Sequence, residues 1–279
     1  VQDLWPDSLI ESGMFPGGAV GSGAKMTVEA IVRLMERRSA VIGVISEGVR
    51  NIILERNPHV DPGKIIYVPN PTNEELFRPV EEIRRELAIN RSERDTVEIM
   101  YAGAVGEVQG LDVLVDAAAL LRSRPDIRFT IVGDGISRQR LEDKVQELGL
   151  TSITFTGRVP QEQVPSLVAD ADIQLVSLKS APFLSHTTPS KIPSLLASGV
   201  PIVAQLEGDG AKLLEESGAA VVAKPGDPRL LADAIKLMVD AGESKWRAKG
   251  RAGRKFYLTK LSAAAAAKKI IDSLQKVSD

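Results

Sequence analysis

The feature that most restricts how this chain can fold is an alternation. Short apolar, β-branched runs at Val41–Ser46, Lys64–Val68, Val97–Ala102, Arg128–Val132, Ile153–Thr156, Ile173–Ser177, Pro201–Ala204 and Ala220–Ala223 are separated by longer stretches with helical spacing. Most of the runs lack polar alternation, as expected of strands buried on both faces of a parallel sheet. Between them, Leu111–Arg122 places Leu111, Leu114, Val115, Ala118 and Leu121 on one helical stripe, and Ser137–Leu148 does so with Leu141, Val145 and Leu148. Strand–helix alternation of this kind predicts an α/β fold on a doubly wound parallel sheet.

The rhythm breaks near Asn70–Val80, where PNPTNEELFRPV carries three prolines. Six βα units follow, from Val97 to Ala223, but only two strand candidates precede it. Two strands do not sustain an α/β sheet alone. The expected division is therefore residues 1–77, the end of a domain whose earlier strands are absent; 78–261, a complete domain; and 262–279, a C-terminal helix containing the strong helix former Ala263–Ala267. The opening VQDLWPDS has no initiator methionine and reads as the interior of a longer sequence. A length of 279 residues suits about two domains.

Composition removes several classes of chemistry. The chain has no cysteine, which excludes disulfides, thiolate metal sites and a cysteine nucleophile. A formal charge of −2 gives no global field for nucleic acid, and 4% aromatic residues leave little for stacking on single strands. No apolar run reaches the ~18 residues of a membrane helix, and Asp3, Trp5, Pro6 and Asp7 are unlike a signal peptide.

The residues that can carry chemistry lie in loops after the strand candidates, the ligand-binding rim of an open α/β sheet. Gly103-Ala104-Val105-Gly106-Glu107-Val108-Gln109-Gly110 lies between a strand and a helix, where backbone amides can approach a phosphate. It is not GxGxxG, which speaks against a dinucleotide dehydrogenase, and it is equally readable as a tight turn. Gly133-Asp134-Gly135 permits close ligand approach or a simple turn before a helix that Ser137 can cap. Arg158, in TGRVP, can contact a base or phosphate or be solvated. In SHTTPSKIPS, Thr188 suits an N-cap and Pro189 the first helical position, which puts Ser190 and Lys191 in the first turn. A lysine is unfavourable at that positive end unless an anion offsets it; a solvated lysine is the competing reading. His186 is a polar ligand or an exposed loop residue, and His59 sits in a polar turn. In EGDG, Asp209 complements the dipole of the helix that follows, Ala211–Glu216.

Taken in order, GAVGEVQGLDVLVDAA, FTIVGDGISRQRLE, ITFTGRVPQEQVPSLVADADIQLVSL, TPSKIPSLLASGVPIVA and GAAVVAKPGDPRLLADAI resemble the donor-binding domain of retaining group 1 (family 4) glycosyltransferases. VISEGVRNIILE and VPNPTNEELFRP resemble that family's interdomain end, and VQDLWPDS the branch acting on bacterial surface polysaccharides, including N-acetylfucosamine-type transferases. The resemblance implies a GT-B fold: one complete Rossmann-like domain plus part of a second, with a nucleotide-diphosphate sugar, UDP-sugar foremost, held by the complete one. By it, Gly103 and Gly106 lie near the diphosphate, Arg158 and Val159 near the base, and Ser190 and Lys191 near phosphate or sugar; Ser194 makes a weak contact to ribose hydroxyls, Gln109, Gly133, Gly135 and Thr188 also bind the donor, and His186 and Lys191 take the catalytic positions. It implies no metal and no other cofactor, because protein cations and helix ends offset the leaving diphosphate.

This sequence departs from the family pattern in places. The family's two glutamates fall at His186 and Ser194, the basic pair of the first loop near Val105 and Gln109, and the histidine of the N-terminal domain near Gln2. The expected function is retaining hexosyl transfer to a glycan or lipid-linked acceptor in cell-surface polysaccharide or lipopolysaccharide synthesis. The expected location is the cytoplasm, with peripheral membrane contact through the first domain and no nucleic-acid partner. A nucleotide-sugar binding fragment without transfer activity is the first alternative. A GT-B epimerase is the second, and the scarcity of histidines and of an acidic cluster disfavours it.

Overall fold

The computed structural model describes residues 19–90, 94–181, 184–186 and 188–278. The opening segment that carries VQDLWPDS and Gln2 lies outside the described residues, as does Thr187. The chain falls into two compact units, Val1–Asn70 with Ala263–Asp279, and Pro71–Ser262.

The first unit contains helix α1 (Ala19–Arg38), strand β1 (Ile42–Val44), helix α2 (Glu47–Arg56), strand β2 (Ile65–Tyr67) and the terminal helix α10 (Ala263–Ser278). β1 and β2 pair in parallel, with Ile42 opposite Ile65 and Val44 opposite Tyr67. Ser46, two residues beyond β1, caps α2, its Oγ accepting the Val49 N–H at 3.2 Å. Ile42, Val44, Val49, Ile53, Val60 and Ile65 make a small core. The buried Glu36 pairs with Arg56 and accepts from Asn57 Nδ2 at 3.2 Å. On α10, Lys269 Nζ sits 4.9 Å from the centre of the Tyr67 ring.

The second unit is a six-stranded parallel sheet: β3 (Val97–Ala102), β4 (Ile127–Val132), β5 (Ile153–Gly157), β6 (Ile173–Ser177), β7 (Ile202–Gln205) and β8 (Ala220–Ala223), in the order β5-β4-β3-β6-β7-β8. Its helices are α3 (Val80–Glu86), α4 (Asp112–Leu120), α5 (Arg138–Glu147), α6 (Val164–Asp170), α7 (Lys191–Ser198), α8 (Asp209–Ser217) and α9 (Pro228–Phe256), the last kinked at Gly242. The five stripe residues Leu111, Leu114, Val115, Ala118 and Leu121 are all buried against the sheet, as are Leu141 and Val145. Burial of each leucine or valine among them contributes roughly 1.5–3 kcal/mol, which is why the stripe outweighs ordinary helix propensity.

Two differences from the expected partition have physical reasons. The division falls after Asn70 instead of residue 77 because residues 71–77 bond inward to the second unit. Phe77 is buried, Thr72 Oγ1 lies 2.6 Å from Ser194 Oγ, and Tyr257 donates its hydroxyl to Glu74 at 2.9 Å. The terminal helix is not separate, because α10 packs on β2 within the first unit. Among the described residues, no helix is long and apolar enough to cross a membrane.

Candidate functional site

The strand order reverses direction between β3 and β6, and the chain leaves these two neighbours toward opposite sides of the sheet. That switch point opens a crevice at the carboxyl ends of the strands, where open α/β sheets bind ligands. The loop after β3 and the start of α7 meet there.

Backbone hydrogen bonds fasten the rim. Gly103 N–H donates to the Val132 carbonyl at 2.9 Å, Val105 N–H to Asp134 at 2.9 Å, and Gly133 N–H to Gly157 at 2.8 Å. These draw the ends of β3, β4 and β5 together, so Gly103, Gly133 and the residues before Arg158 form one ledge. The approach requires glycine at 133: its φ is +138°, and a Cβ there would lie 1.8 Å from the Gly103 carbonyl oxygen. At Gly103, with φ +149°, a Cβ would lie 2.7 Å from Lys191 Nζ. The absence of a side chain at 103 thus makes room for the lysine.

Lys191 is the first residue of α7. Its Nζ lies 3.8 Å from the centre of the Tyr101 ring, whose hydroxyl donates to the Ala104 carbonyl at 2.6 Å. Among the described residues, Nζ has no carboxylate or hydrogen-bond partner. Burial pushes its pKa down to about 7, while the ring face works in the other direction. Burial also raises the Tyr101 hydroxyl well above its ordinary value, so that side chain is neutral. The arrangement is a desolvated amine at a helix N-terminus, against a glycine-edged loop, without a built-in counterion.

Helix α7 begins two residues later than expected. Ser190 is its N-cap in αR geometry without a side-chain bond, and the Ile192 N–H turns back to the Pro189 carbonyl at 2.9 Å. Lys191 therefore opens the helix, and Pro193 stays in the first turn, where a missing N–H is tolerated. Thr188 is half-buried and Ser190 exposed.

The other expected residues divide by what they touch. Ser194 is buried with its hydroxyl against Thr72. Gln109 turns inward, its Oε1 accepting the Gly106 N–H at 3.1 Å, so it fixes the loop. Arg158 is exposed and Val159 half-buried at the end of β5, and Gly135 lies on the exposed rim after β4. His186 is exposed on the loop after β6.

Glu107 was absent from the expected set and is the hub of this rim. Lys179 Nζ reaches Oε2 at 2.9 Å, Ser137 Oγ donates to Oε1 at 2.9 Å, and Arg140 reaches Oε1 at 3.1 Å. Lys179 foremost, then Ser137 and Arg140, hold the Glu107 carboxyl below its usual range. Tyr101 and Thr72 were likewise missed. The one signal for Tyr101 was an aromatic hydroxyl near the carboxyl end of the strand run Val97–Ala102.

Removing the Gln109 latch should cost about 1 kcal/mol, as loss of a helix cap does. Gln109→Ala should accordingly melt roughly 2–4 °C below the native chain. An unchanged melting temperature would show that the Gly106 N–H needs no partner.

The family profile described as "Glycosyl transferases group 1" matches residues 96–241, just over half of the chain. The putative colanic acid biosynthesis glycosyl transferase WcaI of Escherichia coli K12 is 28% identical over 244 residues, 85% of this chain and 58% of that protein. The probable glycosyltransferase WbjE of Pseudomonas aeruginosa is 26% identical over 245 residues, 84% of this chain and 58% of that protein. The chain thus spans less than two thirds of the length of these relatives. Among solved structures, Anabaena Alr3699/HepE in complex with UDP superposes with a TM-score of 0.72 over 90% of this chain and 68% of that one. At 17% identity, that likeness shows a shared GT-B fold and nothing finer. With a Rossmann-order sheet, a glycine-edged loop at its switch point and this family match, the chain belongs to the group 1 glycosyltransferases.

Proposed function

We propose that the protein carrying this chain transfers a sugar, with retention, from a nucleotide-diphosphate sugar to a glycan or lipid-linked acceptor in cell-surface polysaccharide synthesis. The observation that carries the reading is Lys191, a half-buried lysine whose desolvated amine has no anionic partner among the described residues, set against Gly103 at the switch point. A diphosphate supplies the missing counterion. As the bond from the sugar to the diphosphate breaks, the leaving oxygens gain negative charge, and a preorganised ammonium in a dry site is most effective there. Gly103, Gly106, Gly133 and Gly135 let the ligand approach the backbone, with Thr188 and Ser190 beside it. Arg158 and Val159 border the base, and Gln109 and Ser194 position their surroundings. The reading needs no metal, because Lys191 and loop amides meet the leaving charge. Residues up to Asn70, with the terminal helix α10, belong on this reading to the acceptor-side domain. A lipid-linked acceptor places the protein at the cytoplasmic face of the membrane.

UDP is the favoured nucleotide, supported by the fold shared with a protein crystallised with UDP. Calorimetry with UDP, GDP and ADP tests the donor site directly. UDP should give saturable heat at or below millimolar concentration, with the other two weaker. No heat from any of the three would overturn the reading. Saturable UDP binding by a full-length protein that transfers no sugar would favour a binding module.

A further inference from the structure

Two polar side chains beneath the loop after β3 have no part in the ligand contacts proposed above. β6 and β7 are buried and largely apolar, yet each ends in a buried polar residue, Ser177 and Gln205. Ser177 Oγ donates to the Gln109 carbonyl. Gln205 Nε2 donates to Ser177 Oγ at 2.8 Å and to the Gly110 carbonyl at 3.1 Å. The Lys179 N–H takes the Val108 carbonyl at 2.9 Å. Three successive loop carbonyls, 108 to 110, are therefore held at the carboxyl ends of β6 and β7.

This arrangement carries a cost. Gln205 is 1% exposed, and its buried Oε1 has no hydrogen-bond partner among the described residues. An apolar side chain of equal length would avoid the penalty of that orphan oxygen. Stability alone does not account for a glutamine here, whereas control of the loop does. Carbonyl oxygens repel an anion, and in a trans peptide each points away from the N–H that follows it. Tying these carbonyls to the sheet takes them away from any phosphate and fixes the course of the loop that borders Lys191.

We infer that Ser177 and Gln205 are positioning residues for the donor diphosphate, acting through the Gln109 and Gly110 carbonyls without touching the ligand. The inference rests on the donor-site reading. Gln205→Met keeps the side-chain volume and removes both hydrogen bonds. Ser177→Ala removes one hydroxyl, and Ser177→Thr keeps it. The test is calorimetry of the whole chain with UDP and with uridine, alongside thermal denaturation. Gln205→Met and Ser177→Ala should weaken UDP binding about fivefold and leave uridine within about twofold, and Ser177→Thr should bind as the native chain does. Gln205→Met should melt within a few degrees of the native chain, since relief of the orphan oxygen offsets the loss of two hydrogen bonds. Unchanged UDP affinity in either folded variant, equal losses for UDP and uridine, or a Ser177→Thr chain as weak as Ser177→Ala would overturn the inference. If Gln205→Met fails to fold, the Ser177 pair decides. A native chain that binds no UDP overturns the donor reading and this inference together. Variants matching a native chain that does bind overturn this inference alone.

Discussion

Lys191→Met should weaken UDP binding at pH 6.5 by about tenfold to a hundredfold and leave uridine within about twofold. The range follows from the bond removed: a hydrogen bond between a cation and a phosphate contributes about 1.5–3 kcal/mol, and 1.4 kcal/mol is one decade. The selectivity follows from position. Lys191 Nζ lies over Tyr101 and beside Gly103, where the proposed diphosphate sits, and uridine carries no phosphate. Methionine replaces the buried stem with little change in volume, so the fold should survive. The ligand-free variant should also be more stable than the native chain near neutral pH, because it no longer buries an amine without a counterion. Calorimetry with the two ligands and a denaturation series check both halves. Equal loss for UDP and uridine, or no loss for either, would make Lys191 a bystander.

The sheet was legible in the sequence because its strands are short, mostly apolar runs separated by stretches with helical spacing. Val97–Ala102, Ile173–Ser177 and Ala220–Ala223 occur in the structure with the expected bounds, and the other strands of the second unit differ by a residue or two. The start of α7 was not legible. Thr188 and Pro189 have the local chemistry of a cap and first position, a preference of about 1 kcal/mol. The approach of the preceding segment to Gly208 competes with that preference, since the Ser185 carbonyl accepts the Asp209 N–H at 2.8 Å. The site was legible as a set of loops, because strand ends in a parallel sheet share one rim. Its pairings were not. Lys191 with Tyr101 depends on β6 lying beside β3, Gln205 with Ser177 on β7 lying beside β6, and Ser194 with Thr72 on where the segment after Asn70 returns, none of which the βα rhythm specifies. Polar residues closing apolar strands, as in IQLVS and IVAQ, were the available sign that something crosses there.

The affinity for UDP should fall as pH rises above about 7, by as much as about tenfold per unit. The reason is again Lys191, whose pKa burial lowers from 10.5 to about 7 in the ligand-free protein. Among the described residues, no neighbouring charge shares in that shift, and Tyr101, the one titratable group known to face the amine, stays neutral. A bound diphosphate favours the ammonium and raises its pKa, so binding above pH 7 must take up a proton. Below about pH 7 the amine is already charged, and affinity should level off until the terminal phosphate of UDP gains a proton near pH 6. UDP cannot cause the decline itself, since its terminal phosphate ionises near pH 6 and stays fully charged above pH 7. The same group sets a stability trend of opposite sense. Its folded pKa lies below its unfolded one, so between about 7 and 10.5 the unfolded chain holds more protons. The burial cost, of order a few kcal/mol, is then fully present below pH 7 and relieved as pH rises toward 10.5. Dissociation constants measured from pH 6 to 9, in two buffers of different ionisation heat, should show the decline and an uptake approaching one proton at pH 8. Lys191→Met should show neither. A flat native profile, or an equal slope in the variant, would mean that the amine does not meet the phosphate.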